Sequence, residues 1–175
     1  MNNTWIAFFS QTGSEIANIS EALGRYPDLI ITNKDPEKCQ DVDQRIDRLY
    51  HISRKPSVEE YEEILSGFEN PIITLHGYLR ILPEEICKKY EIYNGHPGLI
   101  TEYPELKGKD PQLRAFEGKY EQAGAVLHKV IPEVDEGEVI DESKFSSKDL
   151  TLDELFRILK EVSLNMWCKF LKKVL

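Results

Sequence analysis

Short apolar runs alternate with helix-like segments along the first half of the chain. The runs are four to six residues long, rich in aliphatic side chains and bounded by turn residues, which is typical of parallel strands covered on both faces. This pattern predicts strands at Trp5–Ser10, Leu29–Thr32, Leu49–Ile52, Ile72–Leu75 and Tyr90–Asn94. The alternation indicates the α/β class, with a Rossmann-like, mostly parallel sheet flanked by helices.

Capping residues, prolines and glycines mark where the helices begin and end. Ser14 offers an N-cap and Gly24 an end for the first helix. Ser57 and Thr151 each begin a capping-box pattern, with a glutamate three residues later. Asp110 supplies a cap for a further helix, and the proline that follows it suits the first turn. The predicted helices are Ser14–Leu23, Asp41–Arg48, Ser57–Gly67, Pro83–Lys89, Asp110–Gly118 and Thr151–Leu171.

The pattern changes after Asn94, where a loop rich in glycine and proline runs to about Lys109. Two more strands are predicted beyond it, at Ala123–Val130 and Glu138–Ile140, and an acidic turn joins them. We expect antiparallel pairing in this part of the sheet, near the C-terminal end. A chain of 175 residues is long enough to bury one core, so a single domain over 1–175 is expected.

Charge, hydropathy and cysteine content limit the kinds of ligand and partner that we expect for this protein. Lys and Arg number 22 against 31 Asp and Glu, a net charge of -9 that disfavours duplex nucleic acid but leaves room for a local basic pocket. No apolar run is long enough to cross a bilayer, and the first residues do not form a secretion signal, so we expect a cytoplasmic protein without a membrane partner. The widely spaced Cys39, Cys87 and Cys168 indicate neither disulfides nor a metal site.

The most informative stretch is Tyr93–Gly98, at the end of a predicted parallel strand, where ligands of open α/β sheets bind. If the backbone stays extended through Gly95, the side chains of Asn94 and His96 project to the same side. An amide donor beside an imidazole suits acyl transfer, because both can stabilise an oxyanion and the imidazole can exchange a proton. The alternative is an ordinary hydrogen-bonded histidine in a loop.

A second candidate is the acidic turn Val134–Glu138, which leads into a strand. The carboxylate of Asp135 could hold a histidine in its protonated form or relay a proton from an attacking amine. Asp residues in turns also bind local backbone amides, so a purely structural role for Asp135 is the alternative.

These features together resemble the folate-dependent formyltransferases, and most of all the phosphoribosylglycinamide formyltransferases of the purine pathway. The resemblance extends from Trp5 to Ile140 and implies the fold of that family. It is carried, in the same order and at similar spacing, by Asn94–Pro97, Tyr103–Pro104, Gly124, His128 and Val134–Gly137.

The resemblance implies a donor, 10-formyltetrahydrofolate, and the primary amine of a small acceptor. Asn94, His96 and Asp135 match the catalytic triad of the family one by one. Asn94 and His96 would donate to the oxyanion of the tetrahedral intermediate, and Asp135 would support His96 and help to remove the amine proton. His128 matches a family histidine near the substrate, with a core position on the strand as the alternative.

The same resemblance assigns the folate site. Leu79, Arg80, Ile81 and Leu82 match the segment that lines the pterin pocket, and Val134 and Glu136 of the acidic turn would contact the same ligand. Ordinary sheet-to-helix packing is the alternative for the apolar members of this segment. Arg80 would face the glutamate carboxylate of the folate or lie in solvent.

The acceptor side matches less well. Gly13 and Ser14 agree with the phosphate-binding loop of the purine enzymes, at the start of the first helix, where free amides attract anions. Gln11 stands in place of a glycine and Glu15 in place of an asparagine. The loop after His96 also departs from the family pattern. The acceptor is therefore left open, with glycinamide ribonucleotide as the phosphorylated example.

Two other functions are compatible with the residues: a hydrolase that deformylates the folate, and a folate- or nucleotide-binding module without catalysis. The chain ends soon after one long helix, without a β-barrel, which argues against formylation of tRNA. Nothing precedes Trp5 that resembles the extra domain of the deformylating hydrolases. The oligomeric state is not predicted.

Overall fold

A seven-stranded sheet forms the centre of the molecule. The structure, a computed structural model, describes residues 2–175. The strands lie in the order β3-β2-β1-β4-β5-β6-β7; the first five are parallel, and β6 and β7 are antiparallel to their neighbours. The predicted fold class is confirmed. The strands are β1 (Trp5–Phe9), β2 (Leu29–Thr32), β3 (Tyr50–His51), β4 (Ile72–Leu75), β5 (Glu91–His96), β6 (Gln122–Lys129) and β7 (Val139–Ser146).

Five helices cover the two faces of this sheet. The capping box predicted at Thr151 is present at the start of the last helix, and Gly24 ends the first helix in the left-handed conformation. The helices are α1 (Ser14–Leu23), α2 (Val58–Leu65), α3 (Glu84–Lys89), α4 (Pro111–Glu117) and α5 (Leu152–Val174).

Alternate residues of the strands enter two different cores. One face, represented by Phe8 and Ile92, packs against α2 and α3. The other face, represented by Tyr93, packs against α5, where Trp167 and Phe170 are buried. Because the side-chain period of a strand is two, Asn94 projects toward the α3 face, and Gly95 toward the α5 face against Trp167. The strand period thus determines which side chains can meet at the end of β5.

The strand order reverses between β1 and β4, which is where open α/β sheets bind their ligands. The loops that leave these two strands are tied together. The Ser10 amide donates to the Gly77 carbonyl at 3.1 Å, and the Leu79 amide donates to the Ser10 hydroxyl at 2.8 Å. Both loops therefore line the same crevice at the carboxyl edge of the sheet.

One predicted helix, Asp41–Arg48, is wrong. These residues form turns, because the Asp43 carboxylate accepts the backbone amide of Arg45 at 3.0 Å and so competes with a helical hydrogen bond. A short 3₁₀ turn, Pro36–Lys38, lies before them and is capped by Asp35. The strand expected at Leu49–Ile52 is reduced to Tyr50–His51.

Two strands are longer than predicted. β5 continues past Asn94 to His96 because its last residues pair with β6, and Gly95 is extended as the sequence argument required. β7 begins at Val139 and runs to Ser146 rather than ending at Ile140, because pairing with β6 overrides its polar sequence.

Several caps also differ from the prediction. Gly13, not Ser14, is the N-cap of α1, and Asp110 makes no side-chain cap on α4. Ser57 caps α2 through the Glu60 amide, but the Glu60 carboxylate bonds to the Ser53 amide and hydroxyl instead of completing the box. The helix that follows Pro83 begins at Glu84, and α5 ends at Val174, three residues beyond Leu171.

Candidate active site

Asp135 lies between two buried imidazoles. Its carboxylate is 3.4 Å from Nδ1 of His96 and 3.4 Å from Nε2 of His128, and its side chain is only 7% exposed. Asn94 completes the group, with its amide Nδ2 at 3.4 Å from Nε2 of His128. The four polar residues singled out from the sequence are therefore brought together, although they come from two strands and a loop.

Strand pairing places three of these side chains. Asn94 lies opposite His128 in the antiparallel pair of β5 and β6, so both project to the same face. His96 follows Asn94 at the next position on that face. The structure thus favours the site interpretation of His128 over a plain core position, since a buried imidazole here contacts two polar side chains.

The backbone determines which nitrogen of each imidazole carries a proton. Nε2 of His96 lies 2.9 Å from the Leu106 carbonyl, and Nδ1 of His128 lies 3.0 Å from the Lys129 carbonyl. A carbonyl oxygen only accepts hydrogen bonds, so both of these nitrogens donate. The opposite nitrogen of each ring faces Asp135, where one additional proton on either ring would give the carboxylate a charge-assisted hydrogen bond.

Burial and charge oppose each other in this group. Burial lowers the pKa of the His96 imidazole, and the Asp135 carboxylate opposes that change. Burial would raise the pKa of Asp135, but the contact with the His128 imidazole, the hydrogen bond from the Gly108 amide and the nearby His96 lower it. Asp135 is therefore an ionised carboxylate that can receive a proton from a neighbour.

The loop between β6 and β7 holds Asp135 in place through two backbone features. Asp135 has φ 57°, a left-handed conformation that Asp tolerates, and it accepts the Gly108 amide at 2.8 Å. A Cβ at Gly137 would lie 1.5 Å from the Lys129 carbonyl oxygen, so only glycine allows this close approach. Gly108 and Leu106 were missed as site residues because backbone contacts between distant segments leave no local sequence signal, and Gly137 was noted only as the end of the Val134–Gly137 motif.

Two loops with exposed apolar side chains adjoin the site on the α3 side. Leu79 and Ile81 are 59% and 70% exposed, and Val134 is also exposed, whereas Leu82 is buried in the core. Cys87 of α3 lies next to the first of these loops. Its thiol lies 3.8 Å from the Leu82 carbonyl, and the pKa of this thiol is raised by burial and then by the nearby charge of Glu133. Glu136 points away to an ion pair with Lys107 at 3.3 Å.

Arg80 lines a basic pocket beside these loops. The cavity of about 300 Å³ opens between the ends of β1, β2 and β4, and five of its nine lining residues are cationic. This concentration of positive charge contrasts with the net charge of the chain and suits an acidic ligand group. The lining residues are Ser10, Asn33, Lys34, Asp35, Lys38, Arg54, Lys55, Leu79 and Arg80.

Gly13 and Ser14 lie at the start of α1, on the same loop as Ser10, which lines this pocket. Gly13 has φ 72°, and a Cβ there would lie 2.5 Å from Ile46, so the tight turn requires glycine. The Ser14 amide already binds the Thr12 hydroxyl at 3.3 Å. These residues do not contact the group around Asp135.

Two further findings concern metal binding and membrane-spanning helices. Within residues 2–175, no three or more His, Cys, Asp or Glu side chains are arranged to hold a metal ion. No helix in the described part of the chain has the length and apolar character needed to span a membrane.

Comparisons with known proteins identify relatives of this chain. The formyl transferase family model matches residues 6–166. Methionyl-tRNA formyltransferase of Thermotoga maritima is 29% identical over 119 residues, covering 66% of this chain and 37% of that protein. Phosphoribosylglycinamide formyltransferase of Dictyostelium discoideum is 33% identical over 99 residues, covering 52% and 45%. A formyltetrahydrofolate deformylase of Bacillus subtilis is 26% identical over 140 residues, covering 75% and 42%.

The chain thus spans less than half the length of these curated relatives. Among solved structures, glycinamide ribonucleotide transformylase 1 of Geobacillus kaustophilus superposes with a TM-score of 0.83 at 22% identity and covers all of both chains, which shows a shared fold. The family model covers most of the sequence, including the strands that carry Asn94, His96 and His128. The resemblance inferred from the sequence motifs is confirmed, and this chain belongs to the formyl transferase family.

Proposed function

We propose that the protein is an N-formyltransferase that moves the formyl group of 10-formyltetrahydrofolate to the primary amine of a small acceptor. The observation that carries the proposal is the Asp135 carboxylate held between His96 and His128 beside the Asn94 amide. An amide, an imidazole and an ionised carboxylate around one point provide the three functions that acyl transfer to an amine needs.

The reaction assigns a role to each group. The amine nitrogen attacks the formyl carbon, and the carbonyl oxygen becomes an oxyanion that Asn94 and His96 stabilise by hydrogen bonds. Asp135 keeps His96 oriented and takes part in moving the proton from the amine toward the leaving folate nitrogen, as the bond between that nitrogen and the formyl carbon breaks. His128 supports Asp135 on its other side.

One contact changes during this reaction. The Nε2 hydrogen of His96 donates to the Leu106 carbonyl, so it becomes available to an oxyanion only if that contact is exchanged. Catalytic hydrogen bonds are often rearranged when substrate binds. We therefore infer that the segment around Leu106 shifts as the donor enters.

The donor fits the loops on the α3 side. Leu79, Ile81 and Val134 expose apolar surface suited to a flat heterocycle. Arg80 and the other cations of the adjacent pocket suit the glutamate carboxylates of a folate. When bound, this substrate supplies the formyl group, and the chain contributes binding, orientation and proton transfer.

A folate-deformylating hydrolase is the second candidate, and the Bacillus subtilis relative named as a deformylase favours it. Water would then replace the amine as the nucleophile at the same carbon, with Asp135 accepting its proton. The two activities differ in a simple way, since only the hydrolase consumes the donor at full rate without any amine.

The test is an assay of donor consumption, followed with and without a panel of primary amines. We expect acceptor-dependent loss of 10-formyltetrahydrofolate and a formylated amine as product. Asn94→Ala, His96→Ala and Asp135→Asn should each reduce turnover by about a thousandfold, because each removes a group that acts on the reacting atoms. Asp153→Asn, an exposed carboxylate on α5, is the control.

Wild-type turnover by His96→Ala would contradict the assignment of the site. Equal donor loss with and without amines would replace the transferase by the hydrolase. Tight folate binding without donor loss under any condition would replace both by a non-catalytic binding module.

A further inference from the structure

Glu15 is held by a histidine that the proposed reaction does not use. Its carboxylate lies 2.7 Å from Nδ1 of His76, and the Ser163 hydroxyl donates to it at 3.3 Å. The His76 side chain is fully buried, whereas that of Glu15 is 40% exposed. The carboxylate is therefore fixed from inside the protein and open to a ligand from outside.

A buried hydrogen-bond chain determines the orientation of this pair. The indole of Trp5 donates to the Thr74 hydroxyl at 2.8 Å, and Nε2 of His76 lies 2.8 Å from the same hydroxyl. With Thr74 donating to Nε2, His76 carries its proton on Nδ1 and donates it to Glu15. Each polar side-chain atom in this series from Trp5 through Thr74 and His76 to Glu15 then has a hydrogen-bond partner. The Glu15 carboxylate is therefore a fixed feature of the site rather than a mobile surface group.

The pair adjoins the strand that carries the reacting groups. His76 follows Leu75, which is paired with Asn94 in the sheet. The ring of Trp167 packs on His76 with 4.7 Å between the ring centroids. Its Nε1 lies 2.9 Å from the position that a Cβ at Gly95 would take. That indole N–H is buried without a hydrogen-bond partner among the described residues. Two side chains, those of His76 and Trp167, thus lie between Glu15 and the backbone that joins Asn94 to His96.

A second carboxylate faces the same end of α1. The Arg45 side chain and amide, together with a hydrogen bond from Ser14, hold the pKa of Asp43 well below its usual range. Asp43 is therefore ionised beside the first residues of α1. A helix N-terminus ordinarily attracts phosphate through its free amides. Here the Thr12 hydroxyl occupies the Ser14 amide, and Glu15 adds a partly exposed carboxylate to the first turn of α1.

The two sides of the β1 loop therefore differ in charge. The pocket with Arg80 is basic and suits an acidic donor, whereas the side of α1 carries the Glu15 carboxylate and an Asp43 carboxylate that is paired with Arg45 at 2.6 Å. Complementary charge selects ligands and penalises like charge. A phosphate group placed at the start of α1 would be repelled by the Glu15 carboxylate, whereas an ammonium group would be attracted.

We propose that Glu15, positioned by His76, makes the acceptor side selective for a primary amine that carries no phosphate at the start of α1. This inference rests on the proposed function for the identity of the acceptor. It narrows that function, because it excludes phosphorylated amines such as glycinamide ribonucleotide from the start of α1.

The direct test is a titration of the ¹⁵N-labelled protein with inorganic phosphate, which needs no turnover. We expect no saturable shift of the Gly13, Ser14 and residue-15 amide signals in the wild type. Glu15→Gln keeps an acceptor for His76 and leaves Asp43 paired with Arg45, and it should strengthen phosphate binding at these amides about tenfold or more. Glu59→Gln, which removes an acid from the first turn of α2, is the matched control.

Saturable phosphate shifts at these amides in the wild type would overturn the inference, as would equal binding by wild type and Glu15→Gln. A turnover comparison then uses glucosamine and glucosamine 6-phosphate, which differ by one phosphate. If both serve as acceptors, a higher kcat/KM for the phosphate ester would overturn the selectivity while leaving formyl transfer intact. If no amine is formylated, the proposed function fails, and the phosphate titration still decides the role of Glu15.

Discussion

Gly137→Ala is expected to inactivate the protein without unfolding it. The Cβ of this alanine would lie 1.5 Å from the Lys129 carbonyl oxygen. Carbon and oxygen atoms that are not bonded normally stay about 3.4 Å apart, so the loop has to move by about 2 Å. Asp135 is two residues away, and its contacts of 3.4 Å with His96 and 2.8 Å with the Gly108 amide would be lost.

The size of the effect follows from this displacement. A misplacement of about 1 Å in a catalytic group costs about a hundredfold in rate, so we expect kcat/KM for formyl transfer to fall by at least that factor. Overpacking at a single site costs about 1–3 kcal/mol, which lowers Tm by a few degrees in a chain of this length. The two cores on either side of the sheet do not contain Gly137 and should persist.

The assay measures initial rates at saturating donor together with thermal unfolding. Gly67→Ala is the matched control, because a Cβ there meets only the Ile64 carbonyl at 3.8 Å and should leave rate and Tm close to wild type. A Gly137→Ala protein with an unchanged rate would show that the close approach of this loop does not position Asp135.

Three further predictions test the surrounding structure. Thr151→Ala removes a capping box and should cost about 1 kcal/mol in urea unfolding, with the transfer rate unchanged. Gly95→Ala should destabilise by about 1–3 kcal/mol and shift the Trp167 fluorescence, because its Cβ would lie 2.9 Å from the indole nitrogen; unchanged emission would contradict this packing. Folding lowers the pKa of His96 below the value of 6.5 that it has in the unfolded chain. The neutral His96 therefore contributes its full stability above pH 6.5, and this contribution is lost as the pH falls from 6.5 through the pKa of the folded protein. His96→Gln should therefore flatten the decline of unfolding free energy below pH 6.5, and a slope equal to wild type would refute the shift.

Local periodicity was enough to predict the parallel part of the sheet and the side-by-side placement of Asn94 and His96. Both depend on contacts within one strand and on the apolar runs that neighbour it. The turn at Asp43 was predicted as a helix because the spacing of apolar residues does not show that the Arg45 amide donates to the Asp43 carboxylate. The polar end of β7 was missed for the opposite reason, since only pairing with β6 makes it a strand.

The partners of the polar side chains depend on longer distances along the chain. Glu15 and His76 are 61 residues apart, and nothing local to either residue predicts their contact. The motif that resembles the formyltransferases placed Asp135 near His96 by analogy, but the Gly108 amide that holds Asp135 belongs to a loop without any such signal. Sequence patterns therefore singled out the candidate site residues better than the groups that position them.

The antiparallel direction of β6 explains why a loop has to supply the carboxylate. β6 pairs Val126 with His96 and Lys129 with Tyr93, so its chain leaves the sheet about 10 Å below the end of β5. The loop that follows β6 has to return toward the end of β5 before Asp135 reaches the imidazole of His96. A parallel strand in the same place would deliver its next residues directly at the edge. The length of this loop and its contact at Gly137 therefore determine the position of the carboxylate as much as the identity of Asp135 does.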